Sequence, residues 1–96
     1  MVVSQMADNI PDLGNLLLVR WLDAHNYPIN WTLIEEVEPY VAEVKSVGWE
    51  IYRDEKQLVM SADVAEDIDG ETQINAFFAI PVGCIVSEEI LRHNNG

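Results

Sequence analysis

The sequence predicts a mainly β protein: a small SH3-like barrel of about five strands with one short helical turn. Three observations predict it. Apolar and polar residues alternate in short runs, most cleanly at Leu58, Met60, Ala62 and Val64 and at Ile74, Ala76, Phe78 and Ile80, the period-two pattern of a strand with one buried face. Turn formers separate these runs, as at Arg53-Asp54-Glu55-Lys56 and Asp69-Gly70, with the spacing of hairpins. Finally, Pro81-Val82-Gly83-Cys84 interrupts the chain before its last apolar run, where such a barrel has a single 3-10 turn between its final two strands. A two-layer α+β arrangement is the alternative, should the N-terminal segment be more helical.

Taken in order, residues 1–15 contain Pro11, Gly14 and polar residues without periodicity and are expected to form a flexible lead-in. A single β-rich domain spans 16–92. Its first strand is the apolar run 16–22, with Val19 and Trp21 on one face. Asp23 to Asn30 is rich in turn formers and predicts a loop. Thr32 precedes Glu35 by three positions, a weak capping-box pattern, and Pro39 ends the segment, so one or two helical turns are expected over 31–38. From Tyr40 the pattern turns to β. Ala42 and Val44 are apolar at even positions, whereas Val47, Trp49 and Ile51 are apolar at odd ones. A strand changes its buried face only by an extra residue, which predicts a bulge near Lys45-Ser46 and a core built by Trp21 and Trp49. After the polar turn at 53–56 come the two alternating strands, with an acidic loop over 65–73 between them. The Pro-Gly break, a last strand over 85–91 and a polar tail over 93–96 complete the chain.

Charge is the strongest compositional signal. Seventeen Asp and Glu face five Lys and Arg, a net charge of −12 in 96 residues. The acids cluster in two base-free groups, one at Glu35, Glu36, Glu38 and Glu43, the other at Asp63, Glu66, Asp67, Asp69 and Glu71. Such a surface repels phosphate backbones and lipid headgroups and attracts basic proteins, so neither direct nucleic-acid binding, which needs clustered bases, nor membrane binding is expected. Hydrophobic residues make up 49% of the chain, which places the acids on a folded body rather than a disordered tail. No apolar run approaches the ~20 residues of a membrane helix, and Met1 to Gln5 lacks the features of a signal peptide. A lone cysteine, Cys84, suits a reducing cytoplasm.

Candidate chemical sites fail on their own terms. Asp67-Ile68-Asp69-Gly70 resembles the centre of a calcium loop, but with Gly70 at its sixth position the first and twelfth fall on Ala65 and Ala76, where carboxylates are required. Cys84 lies in an apolar setting, and His25 and His93 sit in a loop and a tail, without the orienting third group a thiol nucleophile needs. One Cys and two His cannot fill a structural zinc site. Proximity among seventeen acids says nothing about a working carboxylate pair, which needs two distinct environments. The expectation is therefore a non-enzyme with no cofactor or metal. Trp31, among polar loop residues, is the tryptophan expected to be partly exposed, and an exposed aromatic amid acids suits a protein interface.

Several motifs resemble a set of small proteins encoded by tailed bacteriophages: Val19-Arg20-Trp21-Leu22-Asp23-Ala24, then Trp31, Glu35-Glu36, Pro39, Ser46-Val47-Gly48-Trp49, and above all Ile80-Pro81-Val82-Gly83-Cys84-Ile85-Val86-Ser87. The similarity covers roughly 18–91 and omits the acidic insert 63–71. It implies a phage origin, a place in the cytoplasm of an infected bacterium and a small β-rich accessory protein, and it carries no catalytic residues. Two functions follow as expectations. In the first, an acidic DNA-mimicking surface made by Glu35, Glu36, Glu38, Asp63, Glu66, Asp67, Asp69 and Glu71, with Trp31, inhibits a nucleic-acid-binding host protein such as gyrase, a polymerase, a nuclease or a defence effector. In the second, the chain is a structural or adaptor module that self-assembles or binds another phage protein.

Overall fold

The computed structural model describes residues 13–24, 27 and 29–94, and its regular elements form one five-stranded antiparallel sheet. The strands are β1 (Leu16–Asp23), β2 (Ala42–Arg53), β3 (Gln57–Glu66), β4 (Thr72–Pro81) and β5 (Ile85–Arg92), in the spatial order β4-β3-β2-β1-β5. Two 3-10 turns accompany them, Ile34–Glu36 in the β1–β2 connection and Val82–Cys84 between β4 and β5. There is no α-helix among the described residues, so the α+β alternative is excluded for them. The strand order and the 3-10 turn before the last strand are those expected of a small barrel, but the sheet does not close: β4 and β5 are its two edges, joined by the Val82–Cys84 turn.

The core lies on one face of the curled sheet. Directly opposed residues of an antiparallel pair share a face. The inner face therefore contains Leu17 and Val19 opposite Gly48 and Ser46, and Leu58 and Met60 opposite Ile80 and Phe78. Leu17, Val19, Leu58, Met60 and Ile80 are buried, with Trp21, Phe78, Cys84 and Ile85 packed against them. The Trp21 and Phe78 rings stack with centroids 6.4 Å apart. Trp21 also donates its Nε1 hydrogen to Ser46 Oγ at 3.0 Å, satisfying the polar end of a largely apolar ring.

Strand β2 departs from expectation. Its bulge lies at Ile51, where the register with β3 shifts between Glu50 and Tyr52, rather than at Lys45-Ser46. Up to that point the small residues Ala42, Ser46 and Gly48 keep the even positions inward, and Val47 and Trp49 face outward with Leu18 and Leu16. Trp49 is thus a residue of the outer face, whereas Trp21 packs on the core. Gly48 explains the preference for the even positions. A Cβ there would lie 2.8 Å from the Ser61 carbonyl oxygen, so only glycine lets β2 and β3 approach so closely. Ser61, fully buried, directs its hydroxyl to the carbonyls of Asp63 and Asn75 at 2.8 and 2.9 Å.

Other boundaries shift modestly. The expected one or two helical turns over 31–38 reduce to three 3-10 residues, and no side chain caps them. Thr32 instead points its hydroxyl to the Asn30 carbonyl, so the capping box does not form. The acidic loop of 65–73 shrinks because β3 runs to Glu66 and β4 starts at Thr72. Residues 13–15 of the expected lead-in extend the sheet: Gly14 N–H donates to the Glu50 carbonyl at 2.8 Å, and Glu50 N–H to that of Asn15 at 3.0 Å. Asn94, from the expected tail, is anchored there too, its backbone N–H bonded to Asn15 Oδ1 and its amide to the Leu13 carbonyl. Residues 1–12, His25, Asn26, Pro28 and the last two positions of the tail lie outside the described residues. No helix among the described residues is long and apolar enough to cross a membrane.

Candidate protein-binding surfaces

The predicted binding residues fall on two different parts of the molecule. Asp63, Glu66, Asp67, Asp69 and Glu71 belong to the β3–β4 hairpin. The last β2–β3 pair is Trp49 with Ser61, and from Asp63 onward β3 is paired with β4, through Asp63–Asn75, Val64–Ile74, Ala65–Gln73 and Glu66–Thr72. The hairpin therefore projects beyond the five-stranded body as a two-stranded arm with the acids at its end.

One of these acids builds the tip. Asp67 Oδ1 accepts the backbone N–H groups of Asp69 and Glu71 at 2.9 and 3.0 Å, and Oδ2 accepts the Gln73 amide at 3.2 Å. Gly70 N–H closes the turn on the Asp67 carbonyl at 3.0 Å, and Asp67 N–H pairs with the Glu71 carbonyl. Gly70 adopts φ 79°, the left-handed conformation glycine enters without strain, as in a three-residue hairpin loop with a bulged glycine. Asp67 is accordingly a turn-forming side chain of the kind that hydrogen-bonds its own backbone. Glu66, Asp69 and Glu71 are exposed around it, with Ile68 fully exposed at the apex. Asp63, further down the arm, accepts from the Asn75 amide at 3.4 Å.

Glu35, Glu36, Glu38 and Trp31 lie in the β1–β2 connection, 24–41. Tyr27 spans this loop by donating its hydroxyl to the Glu38 carbonyl at 2.5 Å. Its large apolar side chains are not folded inward. Ile29 and Trp31 are as open as in an extended chain (106% and 101% exposed), Ile34 nearly so, and Leu33, Val37, Tyr40 and Val41 are half exposed. Trp31 is fully exposed, beyond the partial exposure that its polar setting predicts. The number of large apolar residues beside it was not anticipated, because Ile29, Leu33, Ile34 and Val37 look like core residues in a pattern of hydrophobicity alone.

Two further groups of titratable residues make contacts within the body. Arg53 binds both Glu50, at 2.7 Å, and Glu88, with its two terminal nitrogens 3.0 and 2.6 Å from the two carboxylate oxygens. Glu88 belongs to β5 and Glu50 to β2, so this fork ties the β5 edge to the bulged end of β2. The Arg53 hydrogen bonds hold the Glu88 carboxyl below its ordinary range, and the same bonds raise the guanidinium further. At the β2–β3 turn, Asp54 Oδ1 accepts the N–H groups of Lys56 and Gln57, at 2.8 and 3.0 Å. The Lys56 N–H lowers the Asp54 carboxyl most, and the Tyr52 phenol bonded to Asp54 is raised. Cys84 is half-buried against the core, and His93 stands exposed. Among the described residues no group of three Cys, His, Asp or Glu is placed to hold a metal ion.

No family model, curated protein or solved structure matches the chain.

Proposed function

We propose that this chain is a phage-type accessory protein that acts by binding another protein, and that its acidic hairpin arm occupies a basic, nucleic-acid-binding surface on a host target. The observation that carries the reading is the arm itself. Asp63, Glu66, Asp69 and Glu71 are exposed on a two-stranded projection whose turn is fixed by Asp67 and Gly70. Carboxylates at fixed spacing on a narrow rod can enter a groove lined with Lys and Arg, and a preordered rod loses little entropy in doing so. With a net charge of −12, the encounter with a basic surface is accelerated and sensitive to salt.

The test is capture of proteins from a bacterial host lysate at low and high salt, with the wild-type chain and a variant carrying Asp63→Asn, Glu66→Gln, Asp69→Asn and Glu71→Gln. Asp67 stays unchanged, so the turn survives. A DNA-binding protein retained at low salt, released at high salt and lost with the variant supports the proposal. Capture that is indifferent to both salt and the four substitutions overturns it.

A further inference from the structure

Three of the five bases in the chain lie on the outer face of the sheet, Arg20 and Lys45 at one end of an apolar patch and Arg92 at the other. Because opposed residues share a face, the register places Ser87, Arg20 and Lys45 in one row, Glu89, Leu18 and Val47 in the next, and Arg92, Leu16 and Trp49 in the third. Val47 is half exposed, Arg20 is paired with Glu43, and Lys45 is exposed with no ion pair among the described residues. Its three bases outnumber its two acids, Glu43 and Glu89, so on a chain of net charge −12 this face has a small positive excess. The β1–β2 loop has the opposite chemistry. Between Ala24 and Val41 it contains no Lys or Arg, its three acids are Glu35, Glu36 and Glu38, and Trp31, Ile34 and Val37 are open to solvent.

We propose that two copies of this chain form a reciprocal two-fold dimer, in which the loop of each copy lies across the outer sheet face of the other. The two surfaces are complementary in both respects that matter, acids to bases and exposed apolar side chains to an apolar patch. They are also adjacent. The loop leaves the sheet at the Asp23–Ala42 pair, one row beyond Leu22–Glu43 and three beyond Arg20–Lys45 along the same ladder. A surface that contains both halves of a complementary pair side by side can satisfy both at once about a two-fold axis, which gives a closed dimer rather than a filament. Exposed apolar groups of this extent mark an interaction site, and bases on the receiving face select an acidic loop over other apolar segments. The dimer does not use the acidic arm, so it stands or falls independently of the host-binding reading.

Sedimentation equilibrium across a concentration series tests it, with Trp31→Ala on the loop and Lys45→Glu on the face. Both positions are exposed, and circular dichroism should show both variants folded. Each substitution damages both half-sites of its own homodimer, and Trp31→Ala should weaken association about 30-fold, as for a central aromatic anchor. In a mixture of the two variants the mixed dimer regains one intact half-site but carries both substitutions in the other, so its affinity should lie between those of the two homodimers. The four-fold arm variant should dimerise like the wild type. A wild-type chain that stays monomeric to millimolar concentration, growth beyond dimers, or association unaffected by either substitution would each overturn the proposal.

Discussion

The closest approach in the sheet makes a sharp prediction about Gly48. An ideal Cβ at this position would sit 2.8 Å from the Ser61 carbonyl oxygen and 3.2 Å from its carbon. Relief to ordinary contact distance requires β2 and β3 to part by roughly 0.5 Å or more. Ser61 cannot yield freely, because its hydroxyl is held between the carbonyls of Asp63 and Asn75, at the point where β3 leaves β2. Overpacking of this kind costs about 1–3 kcal/mol. Replacing a strand glycine by alanine returns about 0.5–1 kcal/mol of chain entropy. The crowding term is larger, so Gly48→Ala should destabilise the protein by about 1–2 kcal/mol, a fall of roughly 5–15 °C in Tm for a domain of this size. Urea denaturation followed by tryptophan fluorescence measures it. Gly83→Ala is the control, since no atom lies within 4 Å of its Cβ position and its backbone needs no positive φ; it should be neutral or slightly stabilising. Gly70→Ala meets no atom but adopts φ 79°, which strains an alanine by about 1–2 kcal/mol. The arm tip can fray without unfolding the body, so the global loss there should be smaller than that local strain. A Gly48→Ala protein as stable as the wild type would refute the close β2–β3 contact and the reason given for the even positions of β2 facing inward.

Further outcomes rest on the polar contacts. Asp67→Ala removes the acceptor of the Asp69 and Glu71 N–H groups and should speed amide exchange throughout 66–72, whereas Glu66→Gln should leave exchange unchanged; equal protection in both variants would contradict the assigned turn. The Glu88 carboxyl is lower in the folded protein than its ordinary 4.5, so the stability it contributes is fully present above that value and is lost as the pH falls through the lower, folded one. This surface-exposed fork should amount to about 1 kcal/mol or less. Arg53→Met should flatten the acid limb of a stability-versus-pH curve, and an unaltered acid limb would rule out the Arg53–Glu88 contact as its cause. Ser46→Ala leaves the Trp21 indole N–H without its acceptor and should cost about 1–3 kcal/mol, visible as a lower urea midpoint, while Ser46→Thr should recover most of it; an unchanged midpoint for the alanine variant would show that the indole N–H is satisfied elsewhere.

The sequence by itself determined the β class, the number and rough bounds of the strands, the 3-10 turn after Pro81 and the concentration of acids in two segments. All of these are local: a period of two, a proline, a run of like charges. It could not determine which face of β2 is buried. Val47, Trp49 and Ile51 have the stronger hydrophobic pattern, yet the even positions face the core because Gly48 lets Ser61 come close and Ser46 meets the Trp21 indole, and both partners lie on other strands. Nor could it separate Asp67, which builds the hairpin turn, from Glu66, Asp69 and Glu71, which are exposed around it; that division depends on where the backbone N–H groups point. Ile29, Ile34 and Val37 show the same limit from the other side. Hydrophobicity marks them as residues that favour burial, but burial needs a surface to pack against, and in the folded chain these side chains stay open to solvent.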